Sequence, residues 1–308
     1  MSDFYQSAAW ERFQRDLGAR LISGEGEGWH YFARVQRDGF GPYVYAPGGP
    51  VADGPAALGA ALDDLRFRAR EAGAYRAIVE PPPPATADEM SALAARRIRG
   101  FRHSRTQAID LTRSWDEVFG ELSTSRRKQF RGAEKRGMTF EESRSREDFD
   151  VFLRLYRAQG DAGSFEVRDA GYFDAFYRCL IEPGIARMFV ARQHGEIQVV
   201  GITVDDEEAS IRYYLYVGRE LGNNSLQISS PFITWMIRDA QERGLATFDL
   251  FGISDSDEVE DETTGYTVFK RTFGGETLTF AGTWEIAVAP LKYRAWRAAQ
   301  AARRAIRG

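Results

Sequence analysis

Apolar residues recur along the chain with two different spacings, and each spacing predicts a kind of element. Trp10, Phe13 and Leu17 lie three and four residues apart, which predicts a helix over residues 7–17. Apolar stretches at 29–35 and 43–46, joined by a polar segment with two glycines, predict a strand hairpin. The pattern then predicts, in order, a helix, a strand, a helix, a strand and one or two helices: 55–72, 75–79, 86–99, 107–111 and 115–135.

The second half of the chain repeats much of this order. Two apolar series with i, i+3, i+4, i+7 spacing begin at Phe149 and Phe173, and each predicts a helix. Three strands separated by short turns follow, then a helix and a further strand: 186–192, 197–204, 210–217, 226–243 and 247–251. Because strand, strand, helix, strand occurs in both halves, we predict a duplicated unit of the α/β (α+β) class with a mixed sheet.

Length and composition agree with two such units. The chain has 308 residues, about twice the usual length of a domain, and 43% of them are hydrophobic. No apolar run reaches the roughly 18 residues of a membrane-spanning helix, and the first residues lack the basic and apolar regions of a signal peptide. We therefore expect a two-domain cytoplasmic protein.

The cysteine and histidine content narrows the chemistry. Cys179 is the only cysteine, so disulfides within the chain and thiolate metal clusters are excluded. His30, His103 and His194 lie far apart and give no metal-ligand spacing. No Ser/His/Asp or Cys/His set is evident, so we do not expect a covalent acyl-enzyme, a metal or a bound cofactor.

Charge is distributed unevenly, although the net charge is only −4. Residues 123–137 hold six basic residues and one acid, and residues 291–308 hold six basic residues and no acid. Residues 255–262 are acidic at six of eight positions. A basic cluster on a helix can bind a phosphate backbone, and it can equally be a solvated helix face.

Seven short segments carry a resemblance to a known family. They are QSAAWERFQRDLG (6–18), YAPGGPV (45–51), STSRRKQFRGAEKRGM (123–138), VRDAGYFDAFY (167–177), YYLYVG (213–218), FDLFGI (248–253) and VFKRTFGG (268–275). Their order and approximate spacing resemble the FemABX family. Members of that family are aminoacyl-tRNA-dependent transferases that add amino acids to the stem peptide of peptidoglycan precursors.

The resemblance implies two GNAT-like domains, each a mixed sheet flanked by helices. Domain 1, on the acceptor side, would comprise residues 1–143 plus 280–308. Domain 2, on the donor side and carrying the catalytic lysine, would comprise residues 144–279. The coiled-coil arm of some members is missing, so the chain resembles the compact type, and we expect a monomer.

Lys270 is the expected catalytic residue. Aminolysis of an ester creates an oxyanion that needs a positive or hydrogen-bonding partner in a dry site, and the family's matching lysine is held to supply it. Phe269 precedes Lys270 and could exclude water, and a glycine pair that permits close backbone approach follows it. Transfer is expected to be direct, with aminoacyl-tRNA as co-substrate.

Residues of the second domain are expected to bind the acceptor. Arg168 and Tyr172 lie four apart at a helix start, where they match the family's diphosphate-binding arginine and tyrosine. Tyr214 and Tyr216 are expected on one side of a strand, with Tyr213 on the other. The resemblance places that pair in the acceptor channel, and a half-buried aromatic row is the competing interpretation.

The first domain offers three further candidates for substrate binding. The family has a lysine before the YAPGGPV segment, where this chain has Arg34 and Arg37. The family also has Asp-Pro after the next strand, where this chain has Glu80 and Pro81. A carboxylate is therefore kept, and it could orient the incoming amine.

The basic clusters are candidates for binding the tRNA acceptor stem through its phosphates: Arg126, Arg127, Lys128, Arg131, Lys135, Arg136, Arg303 and Arg304. Residues 291–308 also carry apolar side chains, so peripheral contact with anionic lipid fits this segment as well. The acidic segment 255–262 departs from the family pattern; it could attract a cationic group or be a solubilising loop.

The acceptor is expected to be a UDP-linked or lipid-linked muropeptide. A peptide or nucleoside antibiotic intermediate is the alternative acceptor for the same transfer. An acyl-CoA N-acyltransferase is disfavoured, because the GRELGNNS segment (218–225) lacks closely spaced glycines for a pyrophosphate. A non-catalytic module that binds tRNA or muropeptide is disfavoured by Lys270.

Overall fold

A computed structural model describes residues 3–100, 103–162, 167–222, 225–254 and 264–307. The chain divides into two compact units. The first unit comprises residues 1–104 and 279–308, and the second comprises residues 105–278.

The elements of the first unit come from both ends of the chain. Numbered in chain order, they are α1 (Ala8–Asp16), β1 (Leu21–Gly26), β2 (Trp29–Asp38), β3 (Gly41–Ala46), β4 (Val51–Ala52), α2 (Pro55–Glu71), β5 (Arg76–Val79), α3 (Ala87–Ala92), β6 (Arg96–Arg97), β14 (Trp284–Ala287) and α10 (Pro290–Arg307). A short 3₁₀ turn, Phe4–Gln6, precedes α1.

The sheet of the first unit has the order β1-β2-β3-β5-β14-β6, and β4 pairs with β2. Strands β3 and β5 are parallel, with Val44 opposite Ala77, and the alanine-rich helix α2 connects them. Pro50, Gly54 and Pro55 interrupt the strand pattern before α2, and a proline at the first position favours the helix start. The apolar face of α2 covers the sheet through Leu58, Leu62 and Leu65, none of which is more than 1% exposed.

The second unit contains the remaining elements: β7 (Arg105–Asp110), α4 (Trp115–Glu121), α5 (Thr124–Arg131), β8 (Met138–Ser143), α6 (Arg146–Asp161), α7 (Ala170–Phe176), β9 (Ala186–Gln193), β10 (Glu196–Asp206), β11 (Ile211–Arg219), α8 (Ser225–Glu242), β12 (Thr247–Gly252), α9 (Thr264–Arg271) and β13 (Glu276–Thr279). A π-helical turn, Tyr177–Ile181, follows α7.

The sheet of the second unit has the order β13-β7-β12-β11-β10-β9-β8. Here β11 and β12 are the parallel pair and α8 connects them, as α2 connects β3 and β5. In both units an antiparallel strand lies beside the pair, β14 against β5 and β7 against β12. The predicted fold class, two mixed sheets flanked by helices, is confirmed.

The boundary between the units differs from the predicted one. Residues 105–143, expected in domain 1, belong to the second unit. The reason is strand pairing: β7 pairs with β12, with Ile109 opposite Phe248, and β8 pairs with β9. Hydrophobic spacing predicts a strand but does not predict its partner.

Two local predictions are also corrected. The helix predicted over 86–99 ends early: a capping box between Thr86 and Glu89 begins α3, Ala94 has a positive φ of 57°, and β6 then pairs with β14. Strand β1, which the hydrophobic pattern did not indicate, pairs along its length with β2.

The first two family-like segments have a structural role. The buried side chain of Gln6 donates to the Pro47 carbonyl at 2.6 Å and accepts from the Phe32 amide at 2.8 Å. A Cβ atom at Gly49 would lie 2.6 Å from the Gln6 amide group, so this close packing requires glycine. Gln6 therefore fixes the YAPGGPV loop against β2.

Among the residues that the structure describes, no helix combines the length and the hydropathy needed to cross a membrane.

Candidate active site

Lys270 lies in the last turn of α9 and is half-buried. Its Nζ donates a 2.6 Å hydrogen bond to the Gly252 carbonyl at the end of β12, and lies 5.1 Å from the centroid of the Tyr266 ring. The ammonium group has three donors. Among the described residues, the Gly252 carbonyl is the acceptor that it contacts, so two protons remain available.

A bulge in β12 positions the carbonyl that Lys270 binds. The pairing with β7 shifts register between Asp249 and Gly252, and Phe251 adopts a left-handed conformation with φ 69°. The buried Asp249 carboxylate accepts from the Phe251 amide at 2.6 Å and from the Thr106 hydroxyl. Such backbone costs roughly 1–3 kcal/mol and persists only where the surroundings hold it, as Asp249 does here.

The positive charge of Lys270 is buried, and nearby negative charge offsets only part of the cost of that burial. Burial lowers the pKa of Lys270 to about 8, and the negative charge of Asp249 opposes part of this shift. Near neutral pH the side chain is therefore still mostly protonated, but it lies close to its titration point. Perturbed groups of this kind are concentrated at functional sites.

Phe269 packs on the side of α9 toward α5. Its ring lies edge-on to the Phe273 ring at 5.2 Å and 4.8 Å from the guanidinium carbon of Arg126. The glycine pair Gly274-Gly275 lets the chain pack closely against strand β7. A Cβ atom at Gly275 would lie 2.1 Å from the Ala108 carbonyl oxygen. The close approach is thus between this turn and β7.

Arg168, Tyr172 and Tyr216 form one cluster, as the sequence predicts for the first two. Arg168 is exposed, and its guanidinium carbon lies 4.7 Å from the Tyr172 ring. The hydroxyl groups of Tyr172 and Tyr216 are 2.8 Å apart. Burial raises the pKa of Tyr216, while Arg168 and the bond with Tyr172 act in the opposite direction. The cluster presents an exposed cation beside two phenolic groups.

Tyr214 lies on the other face of the sheet, contrary to the prediction. Strand β11 pairs Tyr214 with Thr203 and Tyr216 with Ile202, so Leu215 is an extra residue that shifts the alternation. Tyr214 joins the core beneath α8, with Phe232 and Phe248. Tyr213, expected on the opposite side, therefore shares a face with Tyr216. For Tyr214, the interpretation as a core residue is the correct one.

In the first unit, the candidates Arg34 and Glu80 are linked through Tyr45. The Arg34 guanidinium carbon lies 5.3 Å from the Tyr45 ring, and the Tyr45 hydroxyl donates to Glu80 at 2.7 Å. Thr283 donates to the other oxygen of Glu80 at 2.7 Å. Arg37 lies apart and exposed at the β2–β3 turn, opposite Pro42.

The basic cluster at residues 126–136 divides into three groups. Lys128, Arg131 and Lys135 are exposed. Arg127 and Arg136 donate to backbone carbonyls in the last turns of α4 and α5. The acceptors are Gly120 and Gln129, each at 2.6 Å. Arg126 is half-buried beside Phe269.

Arg303 is exposed on α10 in the first unit. The side chain of Arg304 and the acidic segment 255–262 lie outside the described residues.

Sequence reasoning missed Asp249 and Tyr45 as parts of these sites. Asp249 is 5% exposed and interrupts the apolar strand FDLF, and a charged residue in a buried strand was the available signal. Tyr45 is the first residue of the YAPGGPV segment, and nothing in the sequence pattern indicated its bond to Glu80. Within the described part of the chain, no group of histidine, cysteine and acidic residues could hold a metal ion.

Residues 186–301 match the sequence profile of the FemAB family. The chain is 28% identical over 150 residues to a lipid II:glycine glycyltransferase of Staphylococcus aureus, a match covering 44% of this chain and 35% of the relative. The chain thus spans about a third of the length of that curated relative.

Three solved structures show the fold. A FemX crystal structure superposes with a TM-score of 0.80 at 19% identity, covering 95% of this chain and 94% of the other. The C-terminal domain of a putative lysylphosphatidylglycerol synthetase from Agrobacterium fabrum gives 0.62 at 16% identity, covering 92% and 88%. A tandem GNAT protein from the clavulanic acid biosynthesis pathway gives 0.54 at 12% identity, covering 88% and 83%.

Proposed function

We propose that the chain is a member of the FemABX family and that it transfers an amino acid from an aminoacyl-tRNA to an amine of a peptidoglycan-precursor stem peptide. The family profile and the glycyltransferase relative support this class of reaction. The observation that carries the proposal is the half-buried Lys270 ammonium, for which the Gly252 carbonyl is the one hydrogen-bond acceptor in the described part of the chain.

The reaction proceeds by direct attack of the neutral acceptor amine on the ester carbonyl carbon of the charged tRNA. The new C–N bond forms as the carbonyl oxygen becomes an oxyanion, which the protons of Lys270 stabilise. Collapse breaks the C–O bond to the ribose, and the ribose oxygen leaves with the proton that the amine gives up. Peptide and free tRNA result, with no covalent enzyme intermediate.

The remaining clusters bind the acceptor in this proposal. Arg168 offers a guanidinium fork for a diphosphate, and Tyr172 and Tyr216 lie beside it with their hydroxyl groups. In the first unit, the Glu80 carboxylate, held by Tyr45 and Thr283, is a separate site that fits a cationic amine. The exposed basic residues Lys128, Arg131 and Lys135 bind tRNA phosphates.

The test is transfer of radiolabelled amino acids from a pool of charged tRNAs to UDP-MurNAc-pentapeptide and, separately, to its lipid-linked form. Lys270→Met should lower the rate about 10²–10³-fold, the usual cost of removing one oxyanion donor. Arg271→Met removes the neighbouring exposed charge of the same turn and serves as the matched control.

Each result of this assay has a defined meaning. Label in the precursor with the wild type and with Arg271→Met, but not with Lys270→Met, supports the proposal and names the amino acid. Equal rates for Lys270→Met and the wild type would contradict the role of Lys270. Deacylation of a charged tRNA without labelled precursor would move the acceptor to another amine, such as an antibiotic intermediate, and acylation from acyl-CoA alone would replace the donor.

A further inference from the structure

Arg126 differs from the other basic residues of its segment in what surrounds its guanidinium. Its Nε donates to Thr272 Oγ1 at 2.9 Å, and its Nη1 donates to Ser230 Oγ at 2.7 Å and to Gln129 Oε1 at 3.0 Å. All three acceptors are neutral. Nη2 has no acceptor among the described residues. Burial lowers the pKa of Arg126, with no charged group acting against it.

Three other partly or fully buried arginines of the same unit have carboxylate partners, whereas Arg127 and Arg136 bind backbone carbonyls. Arg212 binds Asp205 and Asp239, Arg187 binds Asp205 and Glu142, and Arg192 binds Asp148 and Glu141. A cation removed from water is costly unless an anion or several hydrogen bonds compensate it. Arg126 therefore lacks, in the described part of the chain, the anion that its counterparts have.

The groups around Arg126 indicate which anion fits. The centroid of the partly exposed Phe269 ring lies 4.8 Å from the Arg126 guanidinium carbon, and aromatic rings of this kind stack with nucleotide bases. The ring of Phe273, 5.7 Å away, is fully buried and supports Phe269 from the core. Lys128 and Arg131, exposed on α5, add positive charge along the same helix. A free carboxylate would use the guanidinium but not the Phe269 ring, whereas single-stranded RNA uses both.

We propose that Arg126 binds a phosphate of the 3′-terminal nucleotides of the donor RNA. The phosphate would lie beside Phe269, the residue that precedes Lys270 in the sequence. This inference rests on the proposed function, because it assumes that the donor is a charged tRNA. Arg126 would bind the 3′ end of the RNA, where the ester reacts. The exposed residues of the cluster would contact RNA phosphates farther from that end.

The test is binding of a short fluorescent single-stranded RNA that ends in the 3′ sequence of tRNA, measured by anisotropy at several salt concentrations. Arg126→Gln should raise the dissociation constant about tenfold or more and reduce the salt slope by about 0.7, the value for one phosphate contact to a single strand. Arg238→Gln is the matched control: Arg238 is exposed on α8 in the same unit and is paired with Glu242.

Two further measurements keep this test decisive. Arg126→Lys keeps the charge but loses the planar fork, so its affinity should fall between those of the wild type and Arg126→Gln. Thermal unfolding of both variants must match the wild type, which separates lost binding from lost folding. The KM for charged tRNA should rise in Arg126→Gln in the same proportion as the dissociation constant.

Equal RNA affinity and equal KM for Arg126→Gln and wild type would overturn the inference while leaving the proposed function intact. Failure of the proposed function looks different: the wild type would then transfer no amino acid from any charged tRNA, whatever the RNA affinity. If RNA binding falls equally in Arg126→Gln and Arg238→Gln, the attraction is general and the inference is wrong.

Discussion

Arg212 and Lys270 are two cations buried in the same unit, and their surroundings are opposite. The Arg212 guanidinium is fully buried and donates to Asp205 at 2.6 and 2.8 Å and to Asp239 at 2.6 Å. The Lys270 ammonium has one carbonyl as its described hydrogen-bond acceptor. Arg212 is fully buried and cannot reach a substrate, whereas Lys270 is partly exposed and, among the described residues, has an acceptor for one of its three donors. The comparison separates a charge that maintains the fold from one that we propose acts in transfer.

The partners of Arg212 belong to a balanced network. Asp205 also binds Arg187, Asp239 also binds Arg243, and Glu142 binds both of those arginines. Burial acts to raise the pKa of Asp239, but the bonds from Arg243 and Arg212 outweigh it and the pKa is lowered. Three carboxylates and three guanidinium groups thus connect β8, β9, β10 and β11 to α8 and the turn that follows it.

The first unit contains a fully satisfied charge of the other sign. Glu285 is 1% exposed and accepts from Arg96 at 2.7 Å, from the Tyr293 hydroxyl at 2.7 Å and from Arg76 at 3.4 Å. It joins β14 to β5, β6 and α10. Among the described residues, Arg212 and Glu285 are thus buried charges bonded to groups of opposite charge, whereas Lys270 and Arg126 are bonded only to neutral groups.

The largest expected effect is on stability, at Arg212. Arg212→Met should lower the free energy of unfolding by about 3–5 kcal/mol, because Asp205 and Asp239 would remain buried with one cation fewer. Chemical denaturation measures this loss. The exposed pair Arg238–Glu242 supplies the control, since Arg238→Met should cost no more than about 1 kcal/mol.

If Arg212→Met unfolded at the same denaturant concentration as Arg238→Met, Arg212 would stabilise the fold no more than an exposed arginine does. The network would then contribute nothing that a methionine side chain cannot replace. Activity per folded molecule should stay near the wild-type value in both variants, because neither residue belongs to the candidate site.

Lys270→Met should change stability in the opposite direction. The folded-state pKa of about 8 lies below the ordinary value of 10.5, so burial of the protonated lysine destabilises the folded state below pH 8. Removing this charge should raise the free energy of unfolding by up to about 3 kcal/mol at pH 7, by the usual conversion of a pKa shift. Denaturation at pH 7 and near pH 10 measures it.

The sign of the pH dependence provides the check on that prediction. Between pH 8 and 10.5 the unfolded chain binds more protons at this lysine than the folded chain does, so wild-type stability rises with pH relative to the variant. The advantage of Lys270→Met should therefore shrink toward pH 10. A variant less stable than the wild type at pH 7 would mean that Lys270 contributes to the fold as Arg212 does.

Much of the fold could be predicted because each unit repeats strong hydrophobic patterns. Helix α2 and strands β9, β10 and β11 were predicted within a few residues, since their apolar spacing extends over many positions. The pairing of β7 with β12 could not be predicted, because the two strands are far apart in sequence and either sheet could accept β7 on hydrophobicity alone.

Sequence could name candidate residues whose chemistry is carried by a single side chain, but it could not give the backbone geometry around them. Lys270 is a candidate because of its segment, and the spacing of Arg168 and Tyr172 predicted that they lie together. The extra residue Leu215, which moves Tyr214 into the core, and the bulge at Phe251, which directs the Gly252 carbonyl, leave no periodic signal. Both irregularities depend on neighbouring strands, so local sequence could not reveal them.

The smallest effect expected here is the pH dependence of transfer, and it sharpens the comparison most directly. If the Lys270 ammonium stabilises the oxyanion, the rate must fall about tenfold per pH unit above pH 8, where the ammonium loses its proton. Deprotonation of the acceptor amine raises the rate on the acidic side, so the full profile is bell-shaped. Single-turnover transfer from charged tRNA between pH 6 and 9.5 measures both limbs.

Lys270→Arg identifies the group responsible for the alkaline limb. A guanidinium stays protonated throughout this range, so the variant should be slower but should lose the fall above pH 8. Arg271→Met should keep the wild-type profile, since its exposed charge is on the same turn but is not the proposed oxyanion donor. An alkaline limb that survives in Lys270→Arg would assign the titration to another group, and Lys270 would then be a buried cation that, like Arg212, serves the fold.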